Sequence, residues 1–394
     1  MQHMLVITQI KGGMRMKVRA KKLTSFDEIS TFLKVPIQLL HDSNPERISN
    51  LIHAGETFNI PFSKEINCHI SSTSNETSIR NIIDFYMSSL TSLNSPNFIQ
   101  KHRAYDFNVL QEDLEKLLTA FPFIKQRTVG TSVLGLPLIE LQIGKGSKKV
   151  HMNGSFHANE WITTSVLMCW LHEYLQAIVD GESFQGHDAI ELYEKTTLSF
   201  MPMVNPDGVH LVLNGLSPEH PHYQSVLAIN NNSLDFEQWK ANINGVDLNN
   251  QFPAYWDIEK ERKIPKVPAS RDYPGDAPLT EPESIAMANL ANAEEFDLIV
   301  AVHTQGEEIY WGYMNCEPDE SLSIVTEYSR LSGYKPIRNI DSHAGFRDWF
   351  IFEKKKCGFT IELGIGVNPL PLNQLDEIYE KSKGIFWASL YSLK

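Results

Sequence analysis

From about residue 98 onward, short apolar runs of strand length alternate with longer stretches of helical periodicity. Few architectures accommodate that alternation. The strand-like runs fall at residues 149–154, 197–204, 297–303 and 358–362, and the helical stretches at 107–120, 162–179 and 283–293. Residues 126–143 alternate in the manner of a hairpin, with Gly135 in the turn. Strands separated by helices predict an α/β domain with a largely parallel sheet. In such open sheets, sites form beyond the carboxyl ends of the strands. A chain of 394 residues is long enough for one large domain of this kind plus an appendage.

The appendage is N-terminal. Residues 25–32 predict a helix, with Phe26, Ile29, Phe32 and Leu33 at three- and four-residue spacing. A second helix at 37–41 runs into the turn cluster Asp42-Ser43-Asn44-Pro45. Two short strands flanking two short helices fit into the segment. It resembles a LysM module, the match resting on Leu39…Asn44 and Ile52…Gly55…Ile60-Pro61. The resemblance implies a small α+β module over 17–62 that binds the N-acetylated glycan of peptidoglycan or chitin. Where LysM modules carry Gly-Asp-Thr-Leu, this chain has Lys22-Leu23-Thr24-Ser25, so a purely structural cap stands beside glycan binding. Residues 63–98, with a Ser/Thr-rich run at 71–78 and Ser95-Pro96-Asn97, read as a linker to a domain over 99–394.

Thirty-five basic against 48 acidic residues leave a net charge of −13, which argues against nucleic acid as a partner. Any anionic substrate must then be drawn in by a local cluster of cations. No apolar stretch approaches the roughly 18 residues of a membrane span. Cys68, Cys169, Cys316 and Cys357 lack CxxC spacing and read as buried thiols. The N-terminal residues, with Met4, Met14 and Met16 as alternative starts, lack the layout of a secretory signal. That predicts a cytoplasmic protein, with wall or spore association as the alternative.

The chemical signal begins at His157-Ala158-Asn159-Glu160, directly after a strand. Imidazole and carboxylate suit zinc, and a third protein ligand leaves one position for water. Alone the pair is weak, since the same spacing recurs at His53-Ala54-Gly55-Glu56. His303, however, ends the apolar run Leu298-Ile299-Val300-Ala301-Val302, and Glu362 ends Gly358-Phe359-Thr360-Ile361. Residues at strand ends converge on one rim of a parallel sheet. With Asn205-Pro206-Asp207-Gly208, Gly245-Val246-Asp247-Leu248-Asn249 and Glu281-Pro282-Glu283, these motifs make residues 99–394 resemble the zinc carboxypeptidase family. The resemblance implies a mixed, mainly parallel eight-stranded sheet flanked by helices, with one catalytic Zn2+. It implies His157, Glu160 and His303 as metal ligands and Glu362 as general base. Asp247 falls where the family orients its first zinc histidine.

The departures from the family bear on the substrate. The arginine that grips a C-terminal carboxylate is absent: Asn249 is followed by Asn250. A neutral amide cannot make the bidentate, charge-assisted clamp of a guanidinium. The family's active-site tyrosine position is filled by Ile340, and the arginine that polarises the scissile carbonyl by Lys240. Together with the stretches 271–275 and 344–351, these changes resemble the γ-D-glutamyl-L-diamino acid endopeptidase I branch. That branch cleaves between γ-D-glutamate and meso-diaminopimelate in peptidoglycan stem peptides. The expected partners are therefore stem peptides or muropeptides, with Asn249, Asn250, Arg271 and Arg347 as substrate-binding candidates. An ordinary carboxypeptidase with a displaced clamp, a deacylase-like relative and a non-catalytic wall-binding relic are the alternatives.

Overall fold

The computed structural model describes residues 17–64, 83–85, 99 and 102–393. The N-terminal alternative starts, Cys68 and most of the predicted linker lie outside these residues. The chain forms two compact units. One combines the residues up to Ile99 with Leu110–Lys125 and His172–Ile190, and the other holds the remainder.

In the first unit, strands Lys17–Ala20 and Thr57–Asn59 pair antiparallel and enclose helices Phe26–Leu33 and Ile37–Asp42. Ile83–Phe85 adds a third strand beside Lys17–Ala20. The first helix begins one residue later than its periodicity suggests because Ser25 caps it, Oγ accepting from Glu28 N at 3.2 Å. Leu39, Ile52 and Ile60 are fully buried. The Asn44 amide donates to Leu40 O and Asn59 O while its Oδ1 accepts from Asn59 N at 2.7 Å. The residues that carry the module's resemblance are thus its core and its brace.

The second unit is built on an eight-stranded sheet. We label its strands β1 (Lys125–Thr131), β2 (Pro137–Gly144), β3 (Lys148–Asn153), β4 (Thr196–Met201), β5 (Leu298–Thr304), β6 (Glu308–Tyr310), β7 (Lys335–Ile337) and β8 (Cys357–Leu363). Their spatial order is β7-β6-β8-β5-β3-β4-β2-β1. The four central strands β8, β5, β3 and β4 run parallel, while β2 and β6 join them antiparallel. The sheet is mixed, as the family resemblance implies. Every residue of β5 is buried, which is why it reads as a continuous apolar run. The outermost β1 is polar and mostly exposed, as suits an edge.

Six helices matter to the site: α1 (Ile162–Asp180), α2 (Pro206–Asn214), α3 (Pro282–Glu294), α4 (Glu320–Ser332), α5 (Phe346–Lys354) and α6 (Leu375–Tyr391). Helix α5 packs against β8 and β5, and α4 packs on α6. Three described cysteines are free thiols, two of them buried. No described helix is long and apolar enough to cross a membrane.

Chain reversals at the carboxyl rim set up the site. The run predicted as strand to Val204 leaves the sheet after Met201, because Pro202 has no N–H to give the ladder. Asn205 then caps α2, its Oδ1 accepting from Gly208 N at 3.0 Å. The same amide donates to Phe156 O and Ala241 O, tying together two loops that carry site residues. Gly208 sits where a side chain has no room: a Cβ would lie 2.8 Å from Ala158 Cβ and 2.7 Å from the Asn205 amide. Gly208→Ala is therefore expected to lower the unfolding free energy by about 1–3 kcal/mol, the usual cost of overpacking, as read by denaturant titration.

Candidate metal and catalytic site

Beyond the end of β3 the chain passes through Gly154 and Ser155, the latter at φ 49°, and enters a 3₁₀ turn at Ala158–Glu160. The turn brings the two ends of the His-x-x-Glu pair together, His157 Nδ1 lying 2.8 Å from Glu160 Oε1. The end of β5 contributes His303, whose Nδ1 is 2.9 Å from Glu160 Oε2 and 3.1 Å from His157 Nδ1. All three side chains are buried, and their ligand atoms lie within 4.8 Å of one another. Two ring nitrogens and a carboxylate crowded about one point leave lone pairs facing each other, an arrangement a divalent cation relieves. The donor set, two imidazoles and one glutamate, fits zinc.

Glu362 belongs to the same face by register. In the parallel pair of β5 and β8, His303 sits directly opposite Glu362. Glu362 is half-buried. Desolvation, and then the neighbouring Glu160 carboxylate, push it up to about 8, against the opposing charges of His157, Lys240 and Arg347. Burial acts to raise Glu160 as well, but the two imidazoles outweigh it and hold that carboxyl below its usual range. The two glutamates of the site are thus driven apart in acidity.

Asp247 is fully buried and lies behind His157, with Oδ1 3.2 Å from His157 Nε2. The same oxygen accepts from Asn249 N at 3.1 Å, and Oδ2 accepts from Lys240 Nζ at 2.8 Å. Lys240 is also 3.5 Å from Asp272 Oδ1, and the Arg271 Nε lies 3.1 Å from Asp272 Oδ2. Charges therefore alternate from exposed Arg271 inward through Asp272, Lys240 and Asp247 to His157. Although desolvation opposes ionisation at both, Lys240 and His157 hold Asp247 well below the usual carboxylate range, and Asp247 with Asp272 raises Lys240.

The other predicted residues sit around this chain. Asn249 Oδ1 accepts from Phe346 N at 3.0 Å, at the start of α5. Asn250 is buried and its N–H donates to Asp247 O. Arg347, in the first turn of α5, is 4% exposed along its side chain and is paired with Asp348. Ile340 is half-buried in the segment before α5.

Two supports escaped the sequence reading. Thr304 N donates to Glu160 Oε2 at 3.3 Å, and Asn368 Nδ2 stands 3.5 Å from Glu160 Oε1. Asn368 also exchanges hydrogen bonds with Thr304, its Oδ1 accepting from Thr304 Oγ1 at 2.7 Å. The Glu281-Pro282-Glu283 motif has a bracing role. Asn242 Nδ2 donates to Glu281 Oε2 at 2.7 Å and Glu283 Oε2 at 3.2 Å, while Asn242 Oδ1 accepts from Asn244 N and Val246 N. This fixes the loop that delivers Asp247. Burial drives Glu283 up to about 7.

Residues 110–383 match the family described as zinc carboxypeptidase. The chain is 51% identical over 287 residues to γ-D-glutamyl-L-diamino acid endopeptidase 1 of Lysinibacillus sphaericus, covering 73% of this chain and 72% of that protein. It is 50% identical over 301 residues to the uncharacterized protein YqgT of Bacillus subtilis, covering 75% and 80% respectively. Thrombin-activatable fibrinolysis inhibitor shares the fold, with a TM-score of 0.58 at 18% identity over 77% of this chain and 80% of its own. The matched region contains every strand of the eight-stranded sheet and the His157–Glu160–His303 cluster, and the chain belongs to the zinc carboxypeptidase family.

Proposed function

We propose that this protein is a zinc-dependent endopeptidase that hydrolyses the bond between γ-D-glutamate and meso-diaminopimelate in peptidoglycan stem peptides. The observation that carries the reading is the buried His157–Glu160–His303 cluster with Glu362 in register beside it, joined to 51% identity with a γ-D-glutamyl-L-diamino acid endopeptidase. The neutral Asn250, in place of a cationic clamp for a chain terminus, supports cleavage that does not depend on a free C-terminal carboxylate.

His157, Glu160 and His303 would hold the metal. Zinc there supplies a Lewis acid that makes a water molecule more acidic and polarises an amide carbonyl. Glu362 accepts the proton of the attacking water and returns it to the departing α-amine of diaminopimelate. Asp247 accepts from His157 Nε2 and so keeps the Nδ1 lone pair directed at the metal position. Lys240 is engaged by Asp247 and Asp272, which supports positioning over direct stabilisation of the oxyanion. In the same reading, the LysM-like module engages the glycan of the polymer whose peptides the larger unit cleaves.

Defined stem peptides discriminate this reading from its alternatives. L-Ala-γ-D-Glu-meso-diaminopimelate should release L-Ala-γ-D-Glu, detected by mass spectrometry, and a chelator should abolish the reaction until zinc is restored. Release of ordinary C-terminal L-residues instead would return the protein to exopeptidase chemistry. Glu362→Gln should retain stoichiometric zinc while turnover falls by about 10²–10⁴-fold. Near-normal turnover would remove Glu362 from the mechanism. Asp247→Asn should weaken zinc binding about 10–100-fold in a competition titration, the usual penalty for losing the partner of a metal-bound histidine.

A further inference from the structure

Three cations converge on one carboxylate beside the metal site. Asp272 Oδ1 lies 3.5 Å from Lys240 Nζ and 3.6 Å from Lys263 Nζ, and Oδ2 accepts from Arg271 Nε at 3.1 Å. Two of the three cations have a second carboxylate each. Lys240 has that of buried Asp247 at 2.8 Å, and Lys263 that of buried Glu259 at 3.3 Å. Arg271 has Asp272 alone and commits only Nε to it, so both terminal nitrogens of its fork are unspent among the described residues. Burial acts to raise the Asp272 carboxyl. Lys240, and after it Lys263 and Arg271, outweigh both burial and the repulsion of Asp247 and hold it below its usual value.

Backbone bonds fix where the cluster stands. Ser270 O accepts from Lys240 N and Ala241 N, Tyr273 O accepts from Asp247 N, and Lys240 O accepts from Ala158 N, between His157 and Glu160. Arg271 and Asp272 are therefore held between two anchors, with only Lys240 separating them from the metal ligands. The charge of Lys240 reaches both Glu160 and Glu362. Asp272 adopts φ 64°, in the left-handed region that non-glycine residues seldom enter, and such conformations cluster at ligand clamps and switch regions. Its side chain is 33% exposed and that of Arg271 54%, so the outer side of the cluster is open to solvent.

Cations gathered about a carboxylate make a carboxylate-binding site, and here a residue of the chain itself fills it. We propose that Lys263 and Arg271 form an anion subsite beside the metal site, occupied by Asp272 in the substrate-free protein and taken over by a carboxylate of the substrate on binding. The inference rests on the endopeptidase reading. Peptides of γ-D-glutamyl-diaminopimelate carry carboxylates close to the scissile amide, and a chain of net charge −13 must attract them locally. The exchange leaves Lys240 on Asp247, so His157 keeps its support while one carboxylate replaces another. Asp272 thereby competes with the substrate. The α-carboxylate of D-glutamate and the two carboxylates of diaminopimelate share the chemistry that displaces it.

The test measures KM and kcat for L-Ala-γ-D-Glu-meso-diaminopimelate and for three analogues, each with one of these carboxylates replaced by a carboxamide. Asp272→Asn keeps the shape of the side chain and its tolerance of a left-handed backbone, and removes the competing charge. It should raise kcat/KM for the parent peptide about 3–10-fold, through KM, and lose that gain on the one analogue that lacks the displacing carboxylate. Arg271→Met should do the reverse, lowering kcat/KM for the parent about 3–10-fold and leaving that analogue as it is in the wild type. Because Arg271 is exposed, this variant carries the test if Asp272→Asn does not fold. A raised KM or lowered kcat for Asp272→Asn on all four peptides would make Asp272 a brace of its loop and overturn the exchange. Kinetics of Arg271→Met that match the wild type on all four would overturn it equally. Wild-type protein that leaves all four peptides intact overturns the endopeptidase reading, and the subsite falls with it.

Discussion

A carboxylate removed from water must be answered by positive charge, and Asp247 is the group on which this constraint falls hardest. It is fully buried, and it is held by Lys240 on one oxygen and His157 on the other. Removing Lys240 would leave that charge without a cationic partner in the interior. The surroundings serve this arrangement. Glu281 and Glu283 grip Asn242, Asn242 shapes the turn, Gly245 adopts φ 74° within it, and the loop presents Asp247 where His157 needs an acceptor. Oriented from behind, His157 turns its Nδ1 toward Glu160 and His303.

The parallel sheet supplies the other half. No loop has to be ordered to bring His303 beside Glu362, because adjacent strands in fixed register do so. Helix α5 then packs across the same strand pair and contributes Arg347 from its first turn. His303 and Glu362 thus stand on two buried central strands, while His157 and Glu160 come from the 3₁₀ turn beyond a third.

Much of this was legible in the sequence because strand and helix periodicities survive where one face is buried. The four central strands and helices α1 and α3 lie within a few residues of their predicted positions. The clustered ligands were readable because each ends a strand or follows one. The supports were not. Asn368 sits in a loop with no periodicity, and only the fold reveals that it braces Thr304 and Glu160. Strand β3 reads as apolar, yet it buries His151, which is pushed down to about 3 by desolvation and hydrogen-bonds to Ser199 Oγ at 2.9 Å, with Ser199 in turn on Glu140. Such cross-strand polar networks leave no local signature. The pairing of Lys240 with two aspartates was equally hidden, since it depends on loops that meet only in the folded chain.

The amide of Asn249 ties the loop that carries Asp247 to the start of α5. Its backbone N–H is held by Asp247, while its side-chain oxygen holds the first backbone N–H of α5. The residue whose N–H is held by Asp247 therefore also anchors the helix that packs on β8 and β5. Backbone bonds from Phe252 N to Ala344 O and from Ala344 N to Ala254 O stitch the same two segments a little further on, so the loop behind His157 and the helix on the sheet are braced as one piece.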